Sequence, residues 1–312
     1  MAAYTLPSYE EIDQILSLYG CSRDQSQTIT SMEHGISNSN IALSTHEQGK
    51  VLLKISNAKD DNSLREEMKI LELLHQKNFE LAPYPLLTKN EDTIYSLNVL
   101  SGVIYPFYPS EKKDISTQTI SDLACSLAKL NSVQVQEDDL RPFKKVGYDA
   151  LKIIDYVHSQ NALPDFVSFY KKYFSSSLEK IILNPNSSMG ICHGDLYFDN
   201  ALFYQGKLSK ILDFEQAGFG EQILDMGISI SGSCLEYNQI NSQLVKAYIE
   251  HYQEIKPLNR WEEKHFTLYI LLGFFSIALW RIERFNHKKI TDGKEDSYKE
   301  LLALAAVFGD QL

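Results

Sequence analysis

The hydrophobic pattern of this chain changes at a proline-containing segment near residue 106, and this change limits the possible folds more than any other feature. Before it, one helix opens the chain, one helical stretch covers 61–77, and the remaining apolar runs are typical of strands: QTITSMEH, SNIALST, KVLLKIS, YPLLT, TIYSL and GVIYPF. After it, helical spacing recurs near 115–131, 148–159, 163–183, 222–231, 240–254, 261–285 and 295–308. We therefore predict an α+β protein with a small sheet-containing lobe, residues 1–106, and a larger, mainly helical lobe, residues 107–312.

Composition and charge exclude several classes of protein. The chain has 312 residues, 44% of them hydrophobic, and a formal net charge of -11. An acidic surface repels phosphate backbones, so we expect no nucleic-acid partner. The longest strongly apolar run, Phe266–Trp280, is shorter than the roughly 20 residues that cross a bilayer, so we expect no membrane segment.

The first residues and the cysteines point to the cytoplasm. No basic segment followed by an apolar one opens the sequence, so we expect no secretory signal. The four cysteines are far apart and form no CxxC pair, which favours reduced thiols: Cys21, Cys125, Cys192 and Cys234. The sequence does not determine the oligomeric state.

The densest polar cluster, HGDLYFDN at 193–200, lies between two strand-like runs, and Asp213 follows the next apolar strand, KILDF. Carboxylate and amide oxygens are the ligands that Mg²⁺ prefers, usually one or two carboxylates together with substrate phosphates. A further aspartate in such a set can accept a proton from an attacking hydroxyl. The alternative is that these residues cap loops and turns, which a single aspartate in such a place often does.

HGDLYFDN followed by ILDFE resembles the catalytic and metal-binding loops of the aminoglycoside phosphotransferase and choline kinase group, relatives of the protein kinases. The resemblance implies a two-lobed protein-kinase-like fold, with ATP as co-substrate and Mg²⁺ as cofactor. It implies that Asp195 is catalytic and that Asn200 and Asp213 bind the metal. His193 and Asp225 then have structural roles in supporting the loop.

The small lobe can be compared with the same pattern. A kinase-like lobe needs a strand lysine paired with a glutamate on the next helix, and KVLLKIS and SLREEMKILELL supply Lys54 and Glu67, with Glu66 as the alternative. The segment HGISNSN takes the place of the phosphate-binding loop, although a hairpin turn explains it equally well. Its candidate nucleotide-binding residues are Ser37, Asn38 and Ser39. Backbone groups near Tyr105 and Phe107, in IYPFYP, are the candidates for binding adenine.

The resemblance narrows to the monomeric homoserine kinases through the opening helix, GISNSN, T-x-x-x-G-K-V-L-L-K and the late segment FFSIALWRIERF. Arg281 and Arg284 are candidates for binding an acceptor carboxylate, Glu283 for an amine and Trp280 for a cationic acceptor. A charged end on an apolar helix and a core aromatic residue explain the same positions. The DFE sequence after the metal-binding aspartate departs from the homoserine kinase pattern, so choline, ethanolamine and aminoglycosides remain alternative acceptors.

Other classes fit less well. GFGEQI lacks the third glycine of a dinucleotide-binding turn, and the chain contains neither a P-loop nor a G-x-S-x-G motif. The segment between Asp213 and Asp225 is too short for the peptide-docking platform of a protein kinase. The alternative of another class is a nucleotide-binding pseudokinase that acts as a partner-binding module; its mark would be the loss of Lys54, Asp195, Asn200 or Asp213, and all four are present. We predict a kinase that transfers the γ-phosphate of Mg-ATP to a hydroxyl of a small amino alcohol or amino acid, first of all homoserine.

Overall fold

The computed structural model describes residues 6–32, 38–57, 61–135, 146–174, 176–183, 186–237, 239–287 and 293–310. The chain divides into two units, Met1–Pro109 and Ser110–Leu312. Antiparallel strands dominate the first unit and helices the second, which confirms the predicted α+β class.

The first unit is built on a five-stranded antiparallel sheet in the order β1-β2-β3-β5-β4. Its strands are β1 (Thr30–Met32), β2 (Asn38–Thr45), β3 (Gly49–Ser56), β4 (Tyr95–Leu97) and β5 (Leu100–Pro106). Helix α1 (Tyr9–Leu18) begins with the capping box that the sequence indicates, because Ser8 Oγ accepts from Glu11 N at 3.2 Å and Glu11 Oε2 accepts from Ser8 N at 2.8 Å. Helix α2 (Asp61–Gln76) follows β3.

The predicted strand YPLLT is wrong, since residues 84–88 lie outside the sheet. Pro83 and Pro85 have no backbone N–H and cannot contribute to a ladder of hydrogen bonds. Leu86 N does donate to Ile104 O at 2.7 Å, so the segment runs beside β5 without becoming a strand.

The second unit is mainly helical, with short strand pairs that carry its polar loops. Its helices are α3 (Thr117–Asn131), α4 (Ala150–His158), α5 (Pro164–Tyr173), α6 (Ser176–Leu183), α7 (Gln222–Ser233), α8 (Ser242–Gln253), α9 (Arg260–Arg281) and α10 (Ser297–Gly309). Its strands are β6 (Met189–Cys192), β7 (Ala201–Tyr204), β8 (Lys207–Ile211), β9 (Gly218–Glu221), β10 (Leu235–Glu236) and β11 (Gln239–Ile240). The stretch 163–183, predicted as one helix, is two, because Phe174 at the end of α5 adopts an extended backbone.

Helices α7 and α9 pack with their backbones in close approach. A Cβ atom added to Gly273 of α9 would lie 2.5 Å from Gly227 O of α7, and one added to Gly227 would collide with Tyr269 O. Any side chain at either glycine would force the two helices apart. This crossing fixes the position of α7, which carries Asp225 beneath the polar loops.

The predicted helix 261–285 ends earlier than expected. Helix α9 stops at Arg281, and a π-helical turn follows over Ile282–His287. Together they are long and apolar enough to cross a membrane, but 67% of the apolar window is buried inside the protein, as in a core helix. Arg281 ends the α-helix whereas Arg284 lies in the wider π turn, so α-helical spacing does not describe how the two side chains are placed relative to each other.

Candidate active site

Strands β6 and β9 bring the two polar loops together. They pair antiparallel, with Cys192 at the end of β6 opposite Gly218 at the start of β9. The loop that contains Asp195 and Asn200 leaves β6 directly, and the turn that contains Asp213 leads directly into β9. Residues predicted to act together are therefore held at one end of a single strand pair.

Asp225 holds the start of the loop 193–200, the predicted catalytic loop, by hydrogen bonds. Its carboxylate is 1% exposed and accepts hydrogen bonds from His193 N at 2.9 Å, Gly194 N at 2.8 Å and Asn131 Nδ2 at 3.0 Å. Burial raises the pKa of Asp225, while these hydrogen bonds lower it. Asp225 is thus bonded to the start of the loop, its supporting role stays a prediction, and Asn131 is a partner that no sequence motif indicated.

The His193 side chain joins the two loops. Its ring is fully buried, and Nε2 lies 2.9 Å from Leu212 O, next to Asp213. Nδ1 accepts from Asp195 N at 3.2 Å. Since Leu212 O can only accept, the network assigns the ring proton to Nε2. The ring thus connects the two loops by hydrogen bonds, and the structural role of His193 stays a prediction.

Asp195 lies among other acidic groups. Burial raises the pKa of the Asp195 carboxyl well above its ordinary value, and the nearby carboxylates of Asp213 and Glu215 raise it further. Asn200 opposes this effect, because its Nδ2 lies 3.4 Å from Asp195 Oδ2; the same nitrogen donates to Asp195 O at 2.8 Å. The loop therefore gathers carboxyl groups whose ionised forms a cationic ligand would stabilise.

Asp213 adopts a left-handed backbone conformation, with φ 63° and ψ 66°. A non-glycine residue in this conformation costs about 1–2 kcal/mol, and such strain is common at functional positions. The hydrogen bond from Leu212 N to Asn200 O, at 2.7 Å, fixes the chain just before this residue.

The chemistry of these donors fits Mg²⁺. The nitrogen of the Asn200 amide is engaged by Asp195, which leaves its oxygen as the end that can bind a metal. Among the described residues, no group of three or more histidine, cysteine, aspartate or glutamate side chains forms a complete metal cage. A pair of oxygen donors from Asp213 and Asn200 is instead typical of a magnesium ion that takes its remaining ligands from water and substrate phosphates.

In the first unit, Lys54 of β3 and Glu67 of α2 meet as predicted, with Lys54 Nζ 3.4 Å from Glu67 Oε1. Glu67 is 1% exposed on an otherwise apolar helix face, whereas the alternative, Glu66, pairs with Lys69 near the surface. A buried glutamate is costly unless a cation compensates it, which explains why Glu67 holds the lysine in place.

The predicted phosphate loop is only partly within the described residues. Ser37 lies outside them. Asn38 and Ser39 are buried at the start of β2, and Ser39 Oγ accepts from Asn57 Nδ2 at 2.8 Å.

At the candidate adenine site, part of the backbone is already used by the sheet. Phe107 N donates to Lys50 O at 3.1 Å, and Tyr105 pairs with Leu52 of β3. The Phe107 amide is therefore not the donor that an adenine would use. Alternate residues of a strand direct their backbone groups to opposite edges, so the Pro106 carbonyl points away from β3.

The predicted acceptor-binding residues are not gathered into one group. Arg281 donates to Ser297 O at 2.6 Å and pairs with Glu300 at 3.3 Å. The Arg284 guanidinium lies 5.5 Å from the centre of the Trp280 ring. Arg281 is thus held by α10, whereas Arg284 and Trp280 contact each other.

Two residues near Asp195 escaped the sequence analysis. Glu215 is 7% exposed and influences the pKa values of both Asp195 and Tyr148. The signal available in the sequence for Glu215 is the DFE departure, of which it is the last residue. Tyr148 has no motif around it, and only the folded chain brings it to this region.

The chain resembles known kinases in sequence and in fold. A homoserine kinase of Zymomonas mobilis is 23% identical over 298 residues, which cover 90% of this chain and 89% of that protein. Amicoumacin kinase, solved with AMP-PNP, Ca²⁺ and Ami, has a TM-score of 0.70 at 14% identity, covering 98% of this chain and 94% of its own. Choline kinase from Cryptosporidium parvum has a TM-score of 0.62 at 16% identity, and the match covers 91% of this chain and 89% of that one. These two likenesses confirm the kinase-like fold.

The sequence profile of the phosphotransferase enzyme family, APH, matches residues 28–258. The match includes Lys54 and Glu67 as well as the whole region from His193 to Asp225. The chain therefore belongs to the phosphotransferase enzyme family and is a small-molecule phosphotransferase.

Proposed function

We propose that this protein transfers the γ-phosphoryl group of Mg-ATP to a hydroxyl of a small amino alcohol or amino acid, with homoserine as the first candidate. The observation that carries the proposal is the joint position of Asp195, Asn200 and Asp213 at the β6–β9 end, held from below by Asp225. Carboxylates kept close together in this way need a cation, which a metal-bound nucleotide brings.

Each residue has a distinct role in this reaction. Lys54, oriented by Glu67, binds the nucleotide phosphates, and Asn200 and Asp213 hold the metal. Mg²⁺, when bound, offsets the negative charge of the phosphates. Asp195 orients the acceptor hydroxyl and takes its proton as the new O–P bond forms and the bond between the γ-phosphorus and the β–γ bridging oxygen breaks, releasing ADP.

Homoserine leads because a curated relative that aligns over nine-tenths of the chain is named homoserine kinase. Choline or ethanolamine is the second candidate, favoured by the additional carboxylate of Glu215 beside Asp195. A carboxylate at that position suits an acceptor with a positive charge.

The test is ADP release from Mg-ATP with homoserine, choline, ethanolamine, methylthioribose and kanamycin, using the wild-type chain, Asp195→Asn and Asp199→Asn. Asp199 is an exposed aspartate of the same loop, so its variant controls for loss of charge alone. We expect turnover with an amine-bearing acceptor and a loss of about 10²–10⁴-fold in Asp195→Asn, with nucleotide binding retained. Equal turnover in Asp195→Asn and the wild type would refute the role of Asp195.

A further inference from the structure

A second polar cluster lies beside the catalytic loop, made of Tyr148, Lys152 and Glu283, here called the Glu283 cluster. Glu283 Oε2, on the π turn after α9, accepts from the Tyr148 hydroxyl at 2.8 Å and lies 3.2 Å from Lys152 Nζ. Lys152 Nζ also lies 3.8 Å from the centre of the Tyr148 ring. One carboxylate oxygen thus contacts both a hydroxyl and an ammonium group.

Backbone contacts connect this cluster with the catalytic loop. A Cβ atom added to Gly194 would lie 2.6 Å from Val146 Cγ2 and 2.8 Å from Gln216 O, so the chain segments before Tyr148 and after Glu215 both press on the residue before Asp195. Gly147 N donates to Gln216 O at 3.0 Å. Only one residue separates Val146 from Tyr148. Tyr148 of the Glu283 cluster is therefore two residues along the chain from a side chain that packs against Gly194, the neighbour of Asp195.

The hydroxyl of Tyr148 is a permanent donor at this place. Burial raises the pKa of Tyr148 strongly, and the carboxylates of Glu283 and Glu215 raise it further. The phenol therefore stays protonated and orients the Glu283 carboxylate through the hydrogen bond at 2.8 Å.

The ion pair of the cluster is open to exchange. The Lys152 side chain is 40% exposed and that of Glu283 is 30% exposed. Exposed pairs of this kind contribute little to stability, because water solvates both partners and the long lysine side chain loses freedom on pairing. Another ammonium group of suitable size can therefore replace Lys152 at small cost.

We propose that Glu283 binds the ammonium group of the phosphate acceptor and that Lys152 occupies the place of this ammonium group when no acceptor is bound. The inference rests on the proposed phosphotransfer and adds to it the residue that recognises the protonated amine of the acceptor and the lysine that competes with it. Lys152 acts as an internal competitor, so its removal strengthens the binding of the acceptor, the opposite of what a structural ion pair would do.

Two substitutions separate these roles. Glu283→Gln keeps an oxygen that accepts from Tyr148 and removes only the charge, so we expect amine acceptors to bind about 10- to 100-fold more weakly. Lys152→Met keeps an unbranched side chain that ends at Cε and removes the competing ammonium group. We expect it to strengthen the binding of the same acceptors by up to about 5-fold.

The experiment measures binding of homoserine, ethanolamine and 4-hydroxybutyrate to the full chain with Mg-ADP by titration calorimetry, beside the turnover assay. 4-Hydroxybutyrate keeps the hydroxyl and carboxylate of homoserine but has no amine. The Lys246–Glu250 pair of α8, at 3.7 Å, supplies matched controls, and Lys246→Met and Glu250→Gln should change nothing. Thermal unfolding checks that every variant is folded.

Support requires that an amine acceptor binds to the wild type, more weakly to Glu283→Gln and more tightly to Lys152→Met. The binding of 4-hydroxybutyrate should change by no more than about 2-fold in either variant. That pattern without turnover would refute the phosphotransfer and leave the binding site standing. The inference is overturned if neither amine binds to the wild type, if Glu283→Gln binds them unchanged, or if Lys152→Met weakens them as Glu283→Gln does. Equal phosphorylation of 4-hydroxybutyrate and homoserine would overturn it while leaving the kinase activity intact.

Discussion

Replacing Asp225 by asparagine tests how the catalytic loop is held in place. The carboxylate accepts three hydrogen bonds from buried donors, two of them backbone N–H groups of His193 and Gly194. Asparagine has the same shape but only one accepting oxygen. In either orientation of the amide, its NH₂ group therefore faces at least one buried N–H group that has lost its acceptor.

The size of the effect follows from these bonds. One buried donor without an acceptor costs about 1–3 kcal/mol, and the remaining bonds weaken by about 0.5–1 kcal/mol each when their acceptor loses its charge. Burial opposes this loss, because a neutral group is less costly to keep away from water than a carboxylate, as the raised pKa of Asp225 indicates. We expect a net loss of about 2–4 kcal/mol, a large part of the 5–15 kcal/mol that stabilises a typical domain.

Urea unfolding followed by tryptophan fluorescence measures this loss directly. Both tryptophans, Trp261 and Trp280, lie in α9, so the signal reports the second unit. We also expect kcat to fall, because the loop that carries Asp195 loses its anchor. Asp310→Asn, which removes an exposed carboxylate bonded to Lys172, is the control and should change stability by less than about 1 kcal/mol. An Asp225→Asn protein within about 0.5 kcal/mol of the wild type, with unchanged kcat, would refute the reasoning.

Three other changes have expected outcomes. Gly232→Ala places a methyl group against the Tyr197 ring, and the urea titration should show a loss of about 1–3 kcal/mol; no loss would mean that the ring moves freely. Lys54→Met should lower kcat/KM for ATP by about 100-fold or more in an ATP titration, and unchanged ATP use would exclude Lys54 from the nucleotide site. The hydrogen bond from Arg65 lowers the pKa of Asp92, so this pair stabilises the fold above about pH 4 and its contribution fades as the pH falls through that lowered pKa. Asp92→Asn should therefore make stability less dependent on pH in acid, and an unchanged pH profile would contradict the assignment.

Much of the fold could be predicted because its signals are local. The capping box of Ser8 and Glu11 depends on residues three apart, and the strand alternation of KVLLKIS and its neighbours depends on residues two apart. The order of lysine, glutamate and the aspartate motifs along the chain is also readable from the sequence. It predicts the pairing of Lys54 with Glu67 that the structure shows. Where a local signal was ambiguous, as in YPLLT, the prediction failed, because a strand also needs a partner that offers hydrogen bonds.

The surroundings of the site were decided by the tertiary structure alone. Asn131 meets Asp225, and Tyr148 meets Glu283, across separations of 94 and 135 residues that no periodicity records. The π turn that carries Glu283, which contacts Lys152, replaces the α-helix that the spacing of this segment predicts. The sequence determined which chemical groups the protein has and the order in which they occur, because those are properties of the chain and its short-range hydrogen bonds. Only the tertiary structure decided which of these groups contact one another. Burial and helix packing bring segments that are far apart in the sequence within a few ångströms of each other.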